Sequence, residues 1–91
     1  MHAIVVREFG DAAQIDGSAD LVRDRVVPQV RSAPGFVSAV WLSDGSGRTL
    51  NVLVFESERA ASAALEQARS APRPPFMQVE SVDLFGVLAT I

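Results

Sequence analysis

The stretch Pro34–Ser57, PGFVSAVWLSDGSGRTLNVLVFES, reads as two apolar strands joined by a short turn. Phe36, Val37, Ala39, Val40, Trp41 and Leu42 form the first run, and Leu50, Val52, Leu53, Val54 and Phe55 the second. Between them Asp44-Gly45-Ser46-Gly47 supplies a side chain that bonds its own backbone and glycines that accept left-handed geometry. Both runs carry apolar residues on both parities, so neither face of this hairpin tolerates water.

Working toward the N-terminus, residues 2–9 alternate as a further strand, with Ile4 and Val6 on one face and Ala3, Val5 and Phe9 on the other. Residues 10–17 hold two glycines and two aspartates and read as a turn-rich connection ending in Ser18, a candidate N-cap. Leu21, Val22, Val26, Val30 and Ala33 then recur at helical spacing, which predicts a helix over 18–32. Pro28 lies inside it, removes a backbone donor, and predicts a kink or a break into two pieces.

On the other side of the hairpin, Ser57 and Glu58 open an alanine-rich helix over 58–70. Ala71-Pro72-Arg73-Pro74-Pro75 is an extended connector, and residues 79–90 form the last strand, with Gly86 as a candidate bulge. With strands at 2–9, 35–43, 48–56 and 79–90, the order is βαββαβ, a ferredoxin-like unit: a four-stranded antiparallel α+β sheet with two helices on one face. Strands apolar on both sides then need a second cover, and another copy of the chain supplies it by pairing into a dimer.

Composition narrows the function. At 91 residues the chain makes one domain, residues 1–91, and shares a core profitably with a partner. Hydrophobic residues reach 48% against 21% charged, yet no apolar run approaches the ~18 residues of a membrane span, so no membrane partner is expected. Met1-His2-Ala3-Ile4 lacks the marks of a signal peptide, so a cytoplasmic location is expected. Cysteine is absent, which closes off disulfides, thiol nucleophiles and thiolate metal sites. The net charge is −3 and the arginines are scattered, which argues against nucleic acid. One histidine and no cysteine assemble no metal cluster or Ser/His/Asp arrangement, and there is no phosphate loop, so no metal or cofactor is expected.

Pro34-Gly35-Phe36-Val37, the turn, Val54-Phe55-Glu56-Ser57-Glu58 before the alanine-rich helix, and the apolar run from Val82 to Ala89 together resemble the dimeric α+β barrel superfamily, in particular its small antibiotic-biosynthesis-monooxygenase-like proteins. The resemblance implies two sheets closing into a barrel across a dimer, with a pocket between each sheet and its helices. It also implies two kinds of activity: cofactor-free oxygenation of polyketide quinones, and haem degradation. The oxygenases use a strand Asn and a Trp four residues later, with Tyr and Arg nearby; here Asn51 and Phe55 stand at those positions, and the chain has no tyrosine. Haem degraders need an axial His near the second helix, where this sequence has none.

Asn51 interrupts an apolar strand, and either orients a substrate oxygen as the catalytic group or bonds a sheet edge or a water. Phe36, Trp41 and Phe55 are candidate apolar walls for a ligand; as a lone Trp in an apolar strand, Trp41 equally suits a core or an interface. Arg7 and Glu8 alternate, so one of them points inward, and Arg7 is the candidate grip on an anionic group. His2 and Asp83 are the remaining candidates for a proton acceptor, against plain roles as a strand-end His and a solvated strand carboxylate. Phe76 and Met77 either close a pocket or anchor a loop. Two functions follow: a cofactor-free, monooxygenase-like enzyme on a small hydrophobic or aromatic, polyketide-like molecule, or a noncatalytic ligand-binding or structural dimer of the same fold.

Overall fold

The computed structural model describes residues 1–91. Strands β1 (His2–Gly10), β2 (Phe36–Ser43), β3 (Arg48–Phe55) and β4 (Met77–Gly86) form one four-stranded sheet in the order β2-β3-β1-β4, every pair antiparallel. A short helix α1 (Ala12–Asp16), a longer helix α2 over 19–31, and α3 (Glu58–Ser70) complete the βαββαβ unit. The hairpin turn forms as its residues dictate: Asp44 Oδ1 accepts the backbone N–H groups of Ser46 (2.7 Å) and Arg48 (3.1 Å). Gly47, at φ 94°, lies so close to Gly10 that a Cβ there would meet its carbonyl oxygen.

Register decides the faces. Ile4 pairs with Leu53, Val6 with Asn51 and Glu8 with Thr49, so these side chains share the helix-facing side, joined from β4 by Val82 and Leu84. There Ile4, Val6, Leu53, Phe55 and Val82 pack with Ala61 and Leu65 of α3 as the core. Ser57 caps α3 by accepting the Ala60 N–H at 3.1 Å, and alanines on its inner face let its axis come close to the sheet. The opposite face carries Val5, Val40, Leu42, Leu50, Val52, Val54 and Phe85, with Val40, Leu42 and Phe85 45–48% exposed.

Several expectations are corrected. Residues 10–17 are not only turn: Asp11 accepts the Gln14 N–H at 2.9 Å and starts α1. Ser18 is no side-chain cap; its hydroxyl donates back to the Ile15 carbonyl at 2.6 Å. At Pro28 the helix is divided into pieces of different type rather than ended. The helix runs α over Ala19–Leu21, π over Val22–Val26 and α over Val27–Arg31, and the Val27 N–H reaches the Val22 carbonyl five residues back. Pro28 brings no N–H and its ring crowds the carbonyl four residues earlier, so a widened turn keeps the helix continuous. The bulge in β4 lies at Glu80, which has no partner opposite the Arg7–Glu8 step, while Gly86 ends the strand. Residues 87–91 leave the sheet because β1 begins opposite Gly86; one bond from the Val87 N–H to the Met1 carbonyl is all that follows.

Candidate functional site

Between the sheet and α2 lies a cavity of about 730 Å³. It exists because α2 touches the core only through its C-terminal end, Val30 and then Ala33, while Val22 and Val26 face the sheet across open space. Ile4, Val6 and Leu53 form its floor, and the connector after α3 closes one side with Pro74, Phe76 and Met77. The walls are mostly apolar, which suits a flat hydrophobic molecule.

Four of the polar side chains on the wall, Glu8, Thr49, Asn51 and Arg73, gather at one place. Asn51, 9% exposed, donates from Nδ2 to Glu8 Oε1 at 2.9 Å. Glu8, 8% exposed, accepts at its other oxygen from Arg73 Nε at 2.6 Å. The guanidinium continues to the carbonyls of Ala68 (2.6 Å) and Ala71 (3.0 Å), so the end of α3 holds it in place. Thr49, opposite Glu8 in the ladder, keeps a buried hydroxyl with no partner in the protein. A carboxylate only accepts, so it fixes the Asn51 amide with nitrogen toward Glu8.

Each candidate from the sequence has a definite place. Asn51 and Trp41 pair across β2 and β3 and both line the cavity. Phe55 bounds the packed end at 1% exposure, edge-on to Phe36 with ring centroids 6.1 Å apart. Phe36 itself packs into the core and does not line the cavity. Arg7 lies on the opposite face, 3.4 Å from Asp83, because the parity that turns Glu8 inward turns its neighbour outward. Asp83 goes with it. His2 sits at the sheet end, 3.8 Å from Glu58, away from the cavity. Phe76 and Met77 do border it.

Glu8, Arg73 and Thr49 are the site residues that sequence reading did not assign. Glu8 was within reach, since it shares parity with Ile4 and Val6 and therefore a face with Asn51. Arg73 carries no pattern; it arrives through the proline connector, whose path is a matter of tertiary structure.

A four-stranded βαββαβ sheet with a cavity under its helices is a fold found among solved structures. The chain is similar to the heme-degrader MhuD of Mycobacterium tuberculosis, seen with two hemes in its active site, at a TM-score of 0.73 and 20% identity, covering 100% of this chain and 99% of that one. The chain has the ferredoxin-like α+β fold that antibiotic-biosynthesis-monooxygenase-like proteins of known structure also adopt. It is also similar to the ActVA-Orf6 monooxygenase of Streptomyces coelicolor in complex with nanaomycin D (TM-score 0.62, 21% identity, covering 99% and 89%). A third likeness is to SnoaB, a cofactor-independent oxygenase of Streptomyces nogalater (0.63, 21%, 99% and 96%). No protein-family profile matches the chain, and no curated protein matches it by sequence.

The donor set separates these chemistries. No His, Cys or Tyr lines the cavity, and the one imidazole, His2, is elsewhere, so the residues present do not fit a haem held by a histidine. No helix is long and apolar enough to cross a membrane.

Proposed function

We propose that a cytoplasmic homodimer of this chain is a cofactor-independent, monooxygenase-like enzyme acting on a small hydrophobic, aromatic, polyketide-like molecule bound in the cavity beneath α2. The observation that carries the reading is a mostly apolar cavity of about 730 Å³ with Asn51 in a hydrogen-bonded polar cluster on its wall. An apolar slot holds a planar ligand by area, and its orientation falls to the polar groups. A substrate such as an anthrone, once it loses a proton, is electron-rich enough to reduce oxygen directly. One oxygen atom then enters as a carbonyl and the other leaves as water, with no electrons left to supply.

The dimer part of the proposal rests on the outer face of the sheet. Val40, Leu42 and Phe85 are nearly half exposed there beside Val5, Leu50, Val52 and Val54, a contiguous apolar surface of the kind that a soluble chain covers. A twofold copy offers the same surface and buries both.

One observation favours a second reading. Phe55, at the position where oxygenases of this fold place an indole, is fixed in the core against Phe36, and the cavity contains no phenol. Binding without turnover is the alternative. Oxygen-electrode measurements with chelator-treated protein and an anthrone separate the two: the enzyme reading expects uptake above the spontaneous rate that N51A abolishes, and the scaffold reading expects tight binding with none.

A further inference from the structure

A ligand entering the cavity meets polar groups already bonded to one another. Asn51 uses one of its two amide N–H groups on Glu8, and Arg73 uses three of its five on Glu8 and the carbonyls of Ala68 and Ala71. Glu8 receives two of these bonds. A carboxylate offers about four acceptor positions, and two are filled, one on each oxygen. The Asn51 amide oxygen is a further acceptor, turned away from Glu8 by the carboxylate itself. The Thr49 hydroxyl, buried and unpartnered beside them, can give or take a hydrogen bond, and leaving it empty is unfavourable. The Glu8–Arg73 pair is neutral as a unit, so the spot attracts neither a cation nor an anion by net charge.

We infer that this cluster is the specificity end of the cavity, and that it selects neutral aromatic ligands carrying a hydroxyl, held by donation of that O–H to Glu8 with Thr49 completing the contact. The inference rests on the cavity being the ligand site and adds to it a preference for phenols over their ethers. It also reverses the role expected from sequence for Asn51, whose amide is committed to holding Glu8 rather than to gripping a substrate carbonyl. The methyl ether keeps the ring and loses the donor while adding one methyl group, so the change in the phenol-to-ether ratio between wild type and variants reads the hydrogen bond. A hydrogen bond to a charged acceptor outweighs the extra methyl of the ether, so the phenol binds about tenfold more tightly.

The test is isothermal calorimetry with α-naphthol and its methyl ether, on the wild-type protein, E8Q, and the double variant E8L/R73L, which removes both charges so that neither is left unpaired. Folding of each variant is checked by circular dichroism. The expected results are about a tenfold preference for α-naphthol in the wild type, a preference several-fold smaller in E8Q, and a ratio near one in E8L/R73L with the ether still bound. T49V, which breaks no hydrogen bond within the protein, weakens α-naphthol more than the ether and serves if the double variant does not fold. Equal affinities in the wild type, or an unchanged ratio in folded E8Q and T49V, would overturn the inference while leaving the cavity as a ligand site. Failure of both probes to bind would overturn that reading too.

Discussion

Removing Arg73 should be among the most damaging single changes in the chain, although the residue lies in a proline connector outside any helix or strand. Its side chain is 16% exposed and that of Glu8 9%, with the charged atoms 2.6 Å apart, so R73A leaves a buried carboxylate with only Asn51 for company. Breaking one side of a buried pair costs about 3–5 kcal/mol, because the surviving charge keeps its desolvation penalty and loses its compensation. For a domain of this size each kcal/mol moves the melting temperature by roughly 4–8 °C, so a fall of more than ~12 °C is expected. Thermal melts followed by circular dichroism at neutral pH measure it. R23A is the control: Arg23 and Asp20 also lie 2.6 Å apart, but at 66% and 81% exposure, and its loss should cost about 0–1 kcal/mol. E8L/R73L should recover most of the R73A deficit. If R73A melts within a degree or two of R23A, the pair is not buried as described and the cluster is not held in place by it.

N51A removes one of the two bonds that Glu8 receives, so it should lower stability by roughly 1–3 kcal/mol in urea unfolding as well as impair ligand response; an unchanged midpoint would mean that the amide is not holding Glu8. V40D/L42D places two charges on the apolar outer face and should convert a dimer to a monomer in light scattering, whereas a wild-type chain that is already a stable monomer at micromolar concentration would contradict barrel closure. The N–H groups of Ser46, then of Arg48, hold the Asp44 carboxyl below the ordinary aspartate value of 3.8. A depressed folded value stabilises above the unfolded one and is lost as pH falls through it, so wild type should melt higher than D44A at neutral pH and the gap should close below about pH 3.8.

The sequence was most legible where one residue type does one local job. Asp44, Gly45 and Gly47 define the hairpin turn, Ser57 and Glu58 open α3 at its observed start, and apolar residues on both parities of β2 and β3 announce a sheet with two faces to cover. It was least legible where neighbours decide. Ser18 is placed like a cap, but its hydroxyl finds the Ile15 carbonyl first. Pro28 carries a strong signal to break a helix, and a π-turn absorbs it because Val30 and Ala33 still pack on the core beyond. At the site, Asn51 stood out as a polar residue in an apolar strand. Glu8 was masked by Arg7, since choosing between adjacent residues requires the register, and Arg73 depended on a connector whose course no periodicity specifies.

Trp41 offers the most direct measurement of the central claim, because it is the chain's single tryptophan and lines the cavity. Titrating the protein with a planar hydroxylated aromatic should quench its emission in a saturable curve with one ligand per chain. A68F, which fills the same cavity from α3, should lose that response while remaining folded. Saturation at one ligand per chain in the wild type and its loss in A68F is the result expected of a working pocket. Quenching that never saturates, or that persists unchanged in A68F, would contradict it.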